Sequence, residues 1–181
     1  MLQMYILQKS NATLLHYLIK NAIFNRLPIV VLMNKHIEQK IDILLKENDL
    51  KKTIIRTDVL KLYFSKSYAL SQNDIENAFS KKEYDRITLY RTLKTFEENG
   101  IIHKMYDQMG VAKYALCHSS CSKHKHIDEH PHFNCVKCHH TYCMPTVSAP
   151  KVIAPKGFSS IHYSYSIEGI CPSCQPKNSK N

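Results

Sequence analysis

Two cysteine pairs, Cys135-Val136-Lys137-Cys138 and Cys171-Pro172-Ser173-Cys174, stand 32 residues apart in a chain of 181. A two-residue gap lets both sulfurs of a turn face one ion, so the four thiolates suit a single tetrahedral Zn²⁺. A redox pair would occur once, at a strand-to-helix turn, and a disulfide framework belongs to a short secreted chain. Neither accounts for two matched pairs. A second concentration of ligand chemistry overlaps the first: Cys117, His118, Cys121, His124, His126, Asp128, Glu129, His130, His132, His139, His140 and Cys143. Imidazole and thiolate suit Zn²⁺ and other borderline ions, and a second metal is expected here. The plainer alternative is a solvated polar loop, which Lys123 and Lys125 would favour. His130 and His132, at a period of two, share one face of a strand. Cys143 is either a ligand or a small core residue, and the lone His162 reads as structural.

The rest of the composition limits what such sites could serve. Net charge is +10, which calls for an anionic partner, nucleic acid being the commonest. Seven cysteines without a secretory segment suit a reducing cytosol, so a cytoplasmic location is expected. Residues 1–34 are apolar in patches, but Lys9, His16, Lys20 and Arg26 interrupt them. No run approaches the ~20 apolar residues of a membrane span, and no small-residue cleavage site follows. This extension is either an accessory helix or, with Met33 as the true start, translated upstream sequence. No Gly-rich phosphate loop, HExxH or nucleophile motif is present, so neither an enzyme nor a small-molecule substrate is expected. A zinc hydrolase would need a Glu base beside an open site, and Glu129 alone lies near the cluster.

Ile37, Ile41, Leu44 and Leu45 recur at helical spacing, and residues 56–64 form a second, shorter helix. Ser71 with Asp74 resembles a capping box opening a third, with Ile75, Ala78 and Phe79 as its apolar stripe. A fourth helix runs from Thr88 to Asn99, stopped by Asn99-Gly100. Leu89, Leu93 and Phe96 face the core there, while Thr88, Arg91 and Thr95 lie opposite, flanked by Tyr90 and Lys94. Such a face can hydrogen-bond phosphates and base edges in a major groove. Strands Ile101–Met105 and Val111–Leu116 around Asp107-Gln108-Met109-Gly110 then form a hairpin. Helix, turn, helix and hairpin wing is a DNA-binding order.

Over Ile37 to Cys174 the chain resembles the ferric uptake regulator (Fur) family of dimeric metalloregulators. The resemblance is carried by Leu50-Lys51-Lys52-Thr53-Ile54-Ile55-Arg56, Ile87-Thr88-Leu89-Tyr90-Arg91-Thr92-Leu93 and Tyr114-Ala115-Leu116. It continues in His130-Pro131-His132-Phe133-Asn134-Cys135 and Gly169-Ile170-Cys171-Pro172-Ser173-Cys174. It implies a winged-helix DNA-binding domain over 35–116 and a dimerisation domain with a four-cysteine zinc over 117–176, followed by a basic tail, 177–181. The prolines of 144–160 make that second domain small and mostly β, so the fold class expected is α+β. By that similarity Tyr90 and Arg91 contact the major groove and Lys51 the minor groove or backbone. The DNA-contacting set is then Lys51, Arg56, Thr88, Tyr90, Arg91 and Lys94. Cys135, Cys138, Cys171 and Cys174 hold structural zinc. His103 and Cys117 stand where the zinc uptake regulators carry sensing ligands, and His130 and His132 match the family's HxH pair. These four form the implied regulatory set, with Cys143 a further candidate where relatives often have an acid. A thiolate in that set favours Zn²⁺ as the regulatory metal over Fe²⁺ or Mn²⁺. The expected function is a metal-dependent repressor of metal-homeostasis genes, acting as a homodimer on palindromic double-stranded DNA. An iron-responsive or peroxide-sensing regulator is the alternative, and a metal-storage protein or zinc hydrolase a remote one.

Two departures from the family pattern bear on the second domain. His139 stands where most relatives have glycine after the first pair. The segment 144–160 carries Pro145, Pro150 and Pro155, which a helix interior cannot hold, where relatives have a helix. An extended chain leading into a strand over Ile161–Ile167 is expected instead.

Overall fold

The computed structural model describes residues 29–82, 84–117, 130–150, 153–159 and 163–176. Residues 1–28, the ligand-rich stretch 118–129, His162 and the tail 177–181 lie outside the described residues. Two compact units divide the chain, Met1–Phe64 and Ser65–Asn181.

In the first unit, α1 (Ile29–Glu47) and α2 (Ile54–Ser65) both run beyond their expected bounds. The predicted apolar stripe of α1 is its buried face: Ile41 and Leu45 are fully enclosed, as are Val59 and Leu60 of α2. Ion pairs Lys52–Asp42 at 2.6 Å and Lys61–Glu38 at 2.8 Å staple the two helices at the surface.

The second unit opens with β1 (Leu70–Ser71) and α3 (Gln72–Ala78). Ser71 Oγ accepts the Asp74 N–H at 3.1 Å while the Asp74 carboxylate accepts the Ser71 N–H at 2.8 Å. This is the reciprocal capping box expected, and it satisfies two donors the helix start would otherwise leave open. Helix α4 (Arg86–Glu98) buries Leu89, Thr92, Leu93 and Phe96. The chain then turns through Gly100, at φ 71°, into the hairpin of β2 (Ile102–Tyr106) and β3 (Ala112–Leu116). Strands β1, β3 and β2 form an antiparallel sheet in that order.

A second sheet has the order β5-β4-β6, from β4 (His132–Cys135), β5 (Thr141–Cys143) and β6 (Ser166–Gly169). β5 pairs antiparallel with β4, and β6 pairs parallel to it. Parallel neighbours need a long crossover; the described residues of 144–165 supply it without helix or strand, as the three prolines require. The last strand differs from expectation, since Tyr163–Tyr165 precede it and it reaches Gly169. Pairing sets this register: Cys135 lies opposite Gly169, and a Cβ there would come within 2.9 Å of the Phe133 ring. The two sheets are joined by the Ala69 N–H donating to Thr141 O at 2.8 Å, and Cys143 packs against Ala69, Met105 and Ala115.

Candidate metal centres and the exposed helix face

The β4–β6 pairing builds the first centre. Cys135 ends β4, and the Val136 N–H donates to Gly169 O at 2.8 Å, so the turn after β4 and the 3-10 turn Pro172–Cys174 after β6 meet. The sulfurs of Cys135, Cys138, Cys171 and Cys174 all lie within 4.8 Å of one another. Cys138 Sγ and Cys171 Sγ are 3.7 Å apart. Tetrahedral Zn–S bonds of about 2.3 Å place their sulfurs about 3.8 Å apart, so the group fits a zinc ion. No disulfide joins any of the described cysteines. The Cys171 N–H donates to Cys135 Sγ at 3.3 Å, and that donor holds the Cys135 thiol down at about 5. Cys174 is pushed up to about 12 by its hydrogen bond with Cys171. The Tyr142 hydroxyl, on β5, hydrogen-bonds Cys171 and lowers its thiol, an outer support that spacing alone did not reveal.

The second centre gathers side chains from both sheets. His103 lies on β2, His130 just before β4, His132 at its start, and Cys143 ends β5 directly across from His132. One ligand atom from each lies within 4.8 Å of all the others. His103 Nε2 is 3.3 Å from His132 Nε2 and 3.4 Å from Cys143 Sγ. With M–N near 2.05 Å and M–S near 2.3 Å, tetrahedral geometry calls for about 3.3 Å and about 3.6 Å, so this group also fits a metal. Cys117 stands at the other edge of the same ring, its Sγ 3.6 Å from His103 Nδ1. His103 and His132 are buried, at 3% and 8% exposure, so water competes little for their nitrogens. His139 is exposed and His140 stacks on Tyr68 with ring centroids 3.6 Å apart; neither joins a cluster. Cys121, His124 and His126 lie outside the described residues.

The predicted DNA-facing residues divide by what already engages them. On α4, Tyr90, Arg91 and Lys94 are exposed. Thr88 is half-buried and bound to the Asp85 cap, which accepts its N–H at 2.9 Å and its hydroxyl as well. Lys94 leans toward Glu98 at 3.9 Å. In the first unit Lys51 is exposed, while Arg56 Nη1 donates to the Lys51 carbonyl at 2.8 Å. Arg56 therefore fixes the backbone that carries Lys51.

A model of the ferric uptake regulator family matches residues 47–149. The ferric uptake regulation protein of Neisseria meningitidis is 28% identical over 143 residues, spanning 75% of this chain and 94% of its own length. That of Staphylococcus epidermidis is 30% identical over 137 residues, covering 74% and 92%. Among solved structures, a zinc uptake regulator complexed with zinc and DNA superposes with a TM-score of 0.54 at 18% identity, over 78% of this chain and 93% of that one. At that identity the likeness speaks for the fold: a winged-helix part followed by a small, mostly β part with its cluster of four cysteines.

Proposed function

The chain belongs to the ferric uptake regulator family of metal-responsive, DNA-binding regulators, and from that membership we propose that it is a zinc-responsive repressor of metal-homeostasis genes. We assign DNA binding to residues 35–116 and dimerisation to 117–176, with Cys135, Cys138, Cys171 and Cys174 holding a permanent zinc.

The observation that carries the reading is the second centre: three imidazoles and a thiol within 4.8 Å, drawn from both sheets. Sulfur beside nitrogen favours Zn²⁺ over Fe²⁺ and Mn²⁺, which take oxygen ligands more readily. Bound there, zinc would cross-link side chains from the two sheets. His103 belongs to the wing, and His130, His132 and Cys143 to the second sheet. Drawing them together fixes the wing and its neighbour α4 against that sheet. In a dimer this would set two α4 helices about one DNA turn, ~34 Å, apart for a palindromic operator. Regulation requires only that metal prefer the DNA-competent arrangement by about 1–3 kcal/mol.

The test is operator binding, with DNA selected from random duplexes, titrated against Zn²⁺, Fe²⁺ and Mn²⁺ while metal content is measured in parallel. Zinc should tighten binding at concentrations where the second equivalent loads. Tightening by iron alone would replace this reading with the iron-responsive one.

A further inference from the structure

Two thiols, Cys117 and Cys143, flank the imidazole of His103 in the second centre. His103 turns Nε2 toward His132 and Cys143, at 3.3 Å and 3.4 Å, and Nδ1 toward Cys117, at 3.6 Å. An imidazole ring gives an ion one lone pair, and the opposite nitrogen then carries the proton. The ligand atoms of His103, His130, His132 and Cys143 already close a four-membered set within 4.8 Å. Cys117 lies across the ring from it.

We propose that Cys143 is the thiolate ligand of the regulatory site and that Cys117 is a positioning residue, whose sulfur accepts the Nδ1–H of His103 and so presents Nε2 to the metal. This rests on the reading of the cluster as the sensing site. It moves the ligand thiolate from Cys117, where the resemblance places it, to Cys143, which sequence position leaves as a further ligand or a core residue.

The surroundings of each sulfur agree with the division. The Cys117 N–H donates to Ile101 O at 2.9 Å, pinning that residue to the end of the β2–β3 ladder, beside the strand that carries His103. It is thus built to orient a wing residue. Cys143 is the cross-strand partner of His132. Directly opposed residues on an antiparallel pair have Cβ atoms about 4.5–5.5 Å apart, close enough to share an ion. Histidine ligands routinely donate their second N–H to an acceptor that fixes tautomer and ring orientation, and loss of that acceptor weakens metal binding about 10- to 100-fold. Cys117 supplies that acceptor from the end of the neighbouring wing strand, so the orientation of His103 is set within the wing itself.

Cobalt distinguishes ligand from support, because a thiolate bound to Co²⁺ gives a near-ultraviolet charge-transfer band that a hydrogen-bonded sulfur does not. The full chain, with its four-cysteine centre kept loaded with zinc, is titrated anaerobically with Co²⁺. Wild type should show the band on binding one further equivalent. Cys143→Ser should lose it. Cys117→Ala should keep the band while binding Co²⁺ about 10- to 100-fold more weakly, and Cys117→Ser, whose hydroxyl can still accept the N–H, should recover most of that loss. In ¹⁵N-histidine spectra of the zinc form, His103 should carry its proton on Nδ1. A band lost in Cys117→Ser but kept in Cys143→Ser overturns the assignment, as does a band that survives both substitutions. If wild type takes up no cobalt beyond the four-cysteine centre, the sensing-site reading itself falls, and the proposal with it.

Discussion

Arg91 stands exposed on α4, six residues beyond the Asp85 cap. Its guanidinium offers a forked set of donors matched to guanine O6 and N7 or to phosphate, whereas Thr88, on the same face, is already occupied by Asp85. Arg91→Ala is expected to weaken operator binding by about 1–3 kcal/mol, with Arg91→Lys restoring little. Zinc content and melting temperature should not change; zinc lost along with DNA binding would mark the residue as structural. Residue types made this much legible, because Tyr90, Arg91 and Lys94 follow from helical period once Leu89, Leu93 and Phe96 are buried. What each polar group is bonded to was not legible. Arg56 and Lys51 look alike as basic residues, but one side chain holds the other's carbonyl.

Helices were legible in place, if not in length, because α1, α3 and α4 each carry an apolar stripe and α4 ends on a local stop signal. The short α3 depends most on its cap. The Asp74 carboxyl is raised by burial, but the hydroxyl and N–H of Ser71, with Lys113, outweigh that and hold it below the ordinary 3.8. A depressed folded value means that its contribution to stability is complete above pH 3.8 and is lost as pH falls through the lower folded value. Ser71→Ala should therefore destabilise by about 0.5–2 kcal/mol near neutrality. The gap from wild type, read by urea unfolding followed in the helical signal from pH 7 downward, should narrow below about pH 4. An unchanged gap at low pH would mean that the cap acts without its carboxylate. The strands of the second sheet were less legible because pairing, not local pattern, sets their register. Cys143 comes opposite His132 only through the turn at residues 136–140, where His139 adopts φ 57°, the left-handed conformation that glycine takes more readily. Nothing in the spacing of Cys135 and Cys143 specifies that turn.

At the scale of the molecule, the second sheet has little else to hold it together. Its three strands run four, three and four residues, and β6 is largely exposed, with Ile167 at 40% and Tyr163 just ahead of it at 37%. Cys135 and Cys171, at 1% exposure, are among the few enclosed side chains there. Four thiols thus stand where a larger domain would have an apolar core, and zinc bound by such small modules contributes an apparent ~10–16 kcal/mol coupled to folding. Cys135→Ser, or zinc removal by a strong chelator under reducing conditions, is expected to unfold this sheet, as dispersed amide signals of residues 130–143 and 166–174 collapse. Its loss takes His130, His132 and Cys143 away from His103, so regulatory metal binding should disappear too, although none of those four residues has been altered. The reverse does not follow. Cys143→Ser removes one sulfur from the second centre and leaves the four thiols of the first in place, so structural zinc should be retained with one equivalent still bound. A Cys135→Ser chain that kept a folded second sheet without zinc would mean that something other than the four thiols holds that sheet together.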